Sequence, residues 1–154
     1  MQAAAPAPML SLDQHDSSTP ATLSNLMLTV GGDLPGLIVL EWLASDVSVF
    51  DVHWRLEHKA YASLVARSTA GGYLENCWVW TADHDINGGA PAGMNVDVPH
   101  GLISESTQPT WFVGVAVEHH SLANFNFTNA AKQTLLMAQT ETPYWQDPPT
   151  AKML

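Results

Sequence analysis

Basic residues are scarce in this chain. Five Lys and Arg stand against fifteen Asp and Glu in 154 residues, a formal net charge of −10. So few cations cannot neutralise a row of phosphates, which argues against nucleic acid or an anionic membrane as a partner; a neutral polymer meets no such objection. Cysteine is nearly absent: Cys77 stands alone and can form no internal disulfide. Its place in an apolar run reads as a buried thiol rather than a nucleophile. No apolar run approaches the roughly 20 residues needed to span a bilayer, and the first ten residues have neither a cationic start nor a continuous apolar core, so no signal peptide is expected within the chain. Blocks of like charge are missing too, while 46% of the residues are hydrophobic. That balance suits one folded domain with one core.

What the sequence does contain is a succession of short β-prone runs. Residues 1–20, rich in Ala, Pro, Ser and Asp, show no periodicity and are expected to form a flexible N-terminal segment. The domain is expected over 21–148, with 149–154 as a tail. Within it, Leu23 to Val30, Leu37 to Trp42 and Val47 to Trp54 read as strands cut by Gly31, Gly32, Pro35 and Gly36. Residues 57–66 contain no breaker and suit helix and strand equally. Asn124 to Asn129 alternates polar and apolar, as a strand with one buried face does. Asn76, Asn126 and Asn129 suit either amide ladders between stacked strands or turns that need left-handed φ.

Three of the runs end on acid. Leu135 to Ala138 leads to Glu141, Trp111 to Val117 closes on Glu118, His119 and His120, and Tyr73 to Trp80 runs into Asp83. Pro143 cannot donate to a sheet ladder, so Glu141 should sit where regular pairing stops, beside Tyr144 and Trp145. Glu118 and Glu141 are 23 residues apart, and one coil of a parallel β-solenoid takes roughly 20 to 30 residues. The spacing therefore predicts the two glutamates at equivalent positions on adjacent coils. Asp83 precedes Glu118 by 35 residues, one coil plus an insertion, and the Gly- and Ala-rich stretch from Asn87 to Gly93 supplies the loop.

The segments Tyr73 to Asp85 (YLENCWVWTADHD), Gly101 to Thr107 (GLISEST), Trp111 to His119 (WFVGVAVEH) and Gln139 to Gln146 (QTETPYWQ) together resemble the fungal exo-β-1,3-glucanases of glycoside hydrolase family 55. Weaker likeness continues upstream through Leu23 to Thr29, Gly36 to Trp42 and Asp51 to Arg55. The resemblance implies an all-β fold, a right-handed parallel β-helix of pectate-lyase type. This chain would supply a few coils of the second of two such domains, leaving the first as a missing partner. It implies a secreted, extracellular enzyme that removes glucose from the end of laminarin-type β-1,3-glucan with inversion, using no cofactor. The glutamate matching Glu141 is the family's proton donor. Where the family usually reads Tyr-Asn-Gly-Arg, this chain has Asp97, Val98, Pro99 and His100, and an aromatic usual after the EH motif is Ala123, which implies lost substrate contacts.

The residues support that chemistry on their own terms. Glycosidic hydrolysis needs one protonated carboxyl and a second group that activates water or attacks the sugar. Burial against Tyr144 and Trp145 and a like charge at Glu118 would favour the protonated form of Glu141, making it the candidate general acid. Glu118 is the candidate assisting carboxylate, ranked above Asp83. Asp83, His119, Gln139, Tyr144 and Trp145 are candidate substrate contacts. Glu105 reads as a structural, hydrogen-bonded acid, and Trp78 and Trp80, on one face, as core. Adjacent strand residues point to opposite faces, so His119 and His120 do not read as a metal pair and no metal is expected. Two rivals remain: a non-catalytic carbohydrate-binding or structural solenoid, and a pectin-type lyase. The lyase needs calcium or basic residues against an acidic polymer, and so is disfavoured by the scarcity of Lys and Arg.

Overall fold

The computed structural model describes residues 5–13, 19–83 and 96–143. They form thirteen strands and no helix. Five strands, β1 (Ala7–Leu12), β3 (Leu37–Trp42), β5 (Ala62–Ala66), β8 (His100–Ser104) and β11 (Ala123–Phe127), stack side by side in that order, every pairing parallel. A second sheet holds β2 (Ala21–Leu28), β4 (Val47–Leu56), β6 (Gly72–Glu75), β7 (Trp78–Thr81), β9 (Thr110–Val113), β10 (Ala116–Glu118), β12 (Gln133–Leu136) and β13 (Gln139–Glu141), again parallel throughout. The chain thus passes five times from the first sheet to the second, each pass lying on the one before.

The second sheet bends along one line. β2 and β4 run through the bend, whereas later passes are broken into β6/β7, β9/β10 and β12/β13. At the bend Asn25, Asp51, Asn76, Gly114 and Met137 all take positive φ, between 51° and 60°. Asn, Asp and Gly tolerate this left-handed conformation best, and four of the five positions use them. The Asn76 amide also donates to the Asp51 carboxylate on the previous pass. At Asn76 the turn and the inter-coil ladder are therefore one device; Asn129 has φ 55°, as a turn residue should.

Burial explains why the runs are strands. Parallel register aligns Leu10, Leu40, Leu64, Leu102 and Phe125 in one column, and Leu23, Val49, Leu74, Phe112 and Leu135 in another. Apart from Leu135, which ends its column 40% exposed, both columns feed one core that includes Trp42, Trp54 and Val117. Of the segment 57–66, the second half, Ala62–Ala66, is strand and no part is helix. β5 lies at the centre of the first sheet with all five residues buried, Leu64 and Ala66 in the core and Ala62 and Val65 in a second cluster with Ile38 and Ile103. Burial on two faces overrides the weak helix propensity of the segment. Residues 1–20, expected to lack regular structure, contribute β1, because Leu10 and Leu12 pack onto the core and β1 pairs along β3.

Candidate active site

The outer face of β7, β10 and β13 carries the acidic residues. Parallel register sets Trp80, Glu118 and Glu141 in one column and Trp78, Ala116 and Gln139 in the next. Between these outward residues lie Val79 and Val117, which point into the core. With Asp83 and His119, the outward residues line a groove of about 390 Å³. The 23-residue spacing is therefore a true one-pass offset, and Glu118 and Glu141 are direct cross-strand neighbours. Asp83 is not a third member of the column: the partner of Glu118 on β7 is Trp80, three residues earlier. Asp83 lies past the strand end and reaches the groove only from its side, its Oδ1 3.8 Å from His119 Nδ1.

The two glutamates have different surroundings. Glu118 is 5% exposed. The Trp78 indole N–H donates to its Oε2 at 2.8 Å, and the Gln139 amide donates to its Oε1 at 2.8 Å. Glu141 is open to solvent, its side chain 47% exposed. Its Oε2 lies 3.3 Å from His119 Nε2, and its Oε1 accepts from the same Gln139 nitrogen at 3.4 Å. One amide thus bridges both carboxylates, so their Oε1 atoms can be no more than the sum of those two distances, about 6 Å, apart. The burial expected for Glu141 is not met by the described residues; Tyr144 and Trp145, expected beside it, lie outside them.

Asn124 anchors the main chain of Glu141. Its Nδ2 donates to the Glu141 carbonyl at 2.8 Å and to Thr140 Oγ1 at 2.6 Å. A carbonyl only accepts, so the amide orientation is fixed and Oδ1 faces the other way. There it accepts from the His120 backbone N–H at 3.0 Å and from His120 Nδ1 at 3.2 Å, while His120 Nε2 meets Ser63 Oγ at 3.0 Å. His120 therefore carries its proton on Nδ1. It is an interior group: desolvation pushes its pKa down to about 3, against a smaller upward effect of the Asn124 hydrogen bond. Ser63 and His120 are buried and do not face substrate; with the half-buried Asn124 they hold the fold.

Trp80 is buried, as expected, and Trp78 is half-buried, but neither belongs to the core cluster enclosed between the two sheets. They stack at 4.6 Å on the outer face, Trp80 covered by the Arg55 guanidinium at 5.7 Å, and Trp78 supplies one donor to Glu118. Their alternation with Val79 matches the alternation around Val117, a signal in the sequence that could have placed them with the glutamates. Asn124 carried no comparable signal. Glu105 is tied to Arg67 at 3.4 Å, a structural role as expected. Burial raises the Cys77 thiol to about 11, away from nucleophile chemistry. Among the described residues no group of three or more His, Cys, Asp or Glu is placed to hold a metal.

No protein-family model matches the chain. Three relatives do. "Probable glucan endo-1,3-beta-glucosidase" of Arthroderma benhamiae is 30% identical over 177 residues, covering 95% of this chain and 20% of the relative. "Glucan 1,3-beta-glucosidase" of Cochliobolus carbonum is 26% identical over 175 residues, covering 96% of this chain and 22% of the relative. "Non-secreted LysM effector LysM15" of Penicillium expansum is 30% identical over 157 residues, 84% of this chain and 11% of the relative. The chain spans about a fifth of the length of the two glucosidases. It is thus homologous, along nearly all of its length, to one part of larger proteins named as β-1,3-glucan glucosidases.

Proposed function

We propose that the chain is part of a right-handed parallel β-helix whose outer groove binds and hydrolyses β-1,3-glucan from the chain end. One observation carries the reading: two glutamates paired across adjacent strands, Glu118 held by two donors and Glu141 open to solvent, in one groove with a stacked tryptophan pair. Glu141 acts as general acid, its exposed carboxyl free to meet the glycosidic oxygen. Glu118, with both oxygens accepting hydrogen bonds, assists by placing a sugar hydroxyl or water. Asp83 and Gln139 contact substrate at the groove wall; Tyr144 and Trp145, the other expected substrate contacts, lie outside the described residues. The other half of the cleft comes from a further β-helix domain, as the five-fold greater length of the relatives allows. Secretion is part of the same proposal.

A second reading is favoured by the carboxylate spacing. Inversion needs the two carboxyls roughly 6.5 to 9.5 Å apart, with water between them. The Gln139 bridge holds the facing oxygens within about 6 Å. A groove fixed in that form would bind glucan without turnover. The deciding experiment is glucose release from laminarin by the purified chain and by Glu141→Gln, with circular dichroism confirming β structure in both. Activity in the parent and a fall of about 10² to 10⁴ in the variant supports hydrolysis by Glu141. A folded parent that binds laminarin but releases no glucose overturns it in favour of binding alone.

A further inference from the structure

Glu141 has a second polar contact in the groove, from its Oε2 to the buried ring of His119. His119 follows β10 with φ 65° and is 3% exposed. That left-handed turn drives its ring back under the groove floor. Trp80 Nε1 lies 3.3 Å from its Nδ1, and Glu141 Oε2 lies 3.3 Å from its Nε2. An indole N–H can only donate, so Nδ1 must be the accepting nitrogen and Nε2 must carry the proton. Nε2–H then points at a carboxylate, which can only accept when ionised. Directions of hydrogen bonding agree along the whole series from Trp80 through His119 to Glu141.

We propose that His119 is a positioning residue for Glu141, its tautomer fixed by the Trp80 indole N–H, so that a single Nε2–H donor holds one rotamer of the Glu141 carboxyl beside Glu118. The proposal rests on the reading of Glu141 as the acid and adds to it. As the acid gives its proton to a leaving oxygen, the carboxylate that forms meets a donor already in place, with no reorganisation at the moment of reaction. Both ring nitrogens are engaged within the protein, which moves His119 from substrate contact to positioning. Trp80 likewise is a tautomer lock and not a sugar platform, as its 2% exposure requires. Asp83 Oδ1, at 3.8 Å from Nδ1, is the competing acceptor: it would dominate only if Nδ1 carried the proton.

The adjacent histidine supplies an internal control, because His120 is held as the opposite tautomer by Asn124. The test is ¹⁵N-detected NMR of the imidazole rings in the labelled chain near pH 8, above the ordinary imidazole range. The expected result is Nε2–H for His119 and Nδ1–H for His120. Nδ1–H on His119 overturns the proposal and leaves Asp83 as its partner. In a folded Trp80→Phe, His119 should lose its single tautomer while His120 keeps its own; an unchanged His119 overturns the lock. This readout needs no turnover, so it stands apart from failure of the glucanase reading. Where turnover is measurable, His119→Phe should lower kcat about tenfold or more with little change in KM, and His119→Gln, whose amide nitrogen reaches the Nε2 position, should restore most of it. Equal loss in both variants overturns the positioning role.

Discussion

Lowering the pH from 7 to 5 should weaken this fold through His120. Its imidazole is 3% exposed, hydrogen-bonded to Ser63 and Asn124, and its pKa in the folded chain falls to about 3 from an ordinary 6.5, chiefly by desolvation. The unfolded chain takes up a proton near pH 6.5 and the folded chain does not, so the stabilisation is complete above the unfolded value and is lost as pH falls towards about 3. Each pH unit inside that window costs about 1.4 kcal/mol, which amounts to about 2 kcal/mol between pH 7 and pH 5. His100, also shifted down by burial, acts in the same direction. Asp33 has its ordinary value at 3.8 and is shifted lower, by the Lys59 backbone N–H, so its contribution is lost only below this range. With a urea slope of about 2 kcal/mol per molar, the unfolding midpoint should drop by about 1 M. Far-UV circular dichroism of urea unfolding at the two pH values reads this directly. His120→Gln removes this titration and leaves that of His100, so its midpoint should fall clearly less across the window than the parent's, whatever its absolute stability. Equal pH slopes in parent and variant would refute the argument.

Three further perturbations test the stacking. Gly101→Ala should destabilise by about 1 to 3 kcal/mol in urea, because a Cβ there would sit 2.6 Å from the Asn124 carbonyl oxygen and 2.8 Å from His120 Nδ1, with Val117 also in its way. Met137 is the one bend position with an ordinary side chain in the left-handed region, and it is 86% exposed, so Met137→Asn should stabilise by about 0.5 to 1 kcal/mol in the same assay. Cys77, raised to about 11 from an ordinary 9.0, should be alkylated by iodoacetamide at pH 8 about a hundredfold more slowly in the folded chain than in urea.

Local pattern carried the strand runs well, and the residues where it failed show what it cannot see. Apolar runs such as Leu37 to Trp42 and Trp111 to Val113 became strands because each sends inward side chains, among them Leu40 and Phe112, into the core between its neighbours above and below. The pairing of Glu118 with Glu141 was legible because nothing interrupts the pass between them. Residues 57–66 were ambiguous because their helix propensity is local whereas the burial of Ala62 and Val65 depends on Ile38 and Ile103, distant in sequence. β1 was missed for the same reason: two leucines among Ala, Pro and Ser carry no period, yet β3 offers them a ready edge. Asn124 was invisible as an anchor because its partners, His120 and Glu141, lie on either side of it in sequence and meet only across the stack.

The misplacement of Asp83 has a more general cause. Successive bend residues are 26, 25, 38 and 23 positions apart, so pass length varies widely while the bend stays aligned. Register in the second sheet is set by which side chains fit the core, since a slip of one residue would turn Val79 and Val117 outward and Trp80 and Glu118 inward. Sequence spacing across the connection from β7 to β8 therefore says nothing about register. Counting back from Glu118 by core pattern instead, from Val117 to Val79, leads to Trp80. By the same logic the groove tolerates insertions in the connections far better than any change of inward residue on β7, β10 or β13. A one-residue deletion within β10 would carry Glu118 off the outer face, and with it the donors Trp78 and Gln139 would lose their shared acceptor.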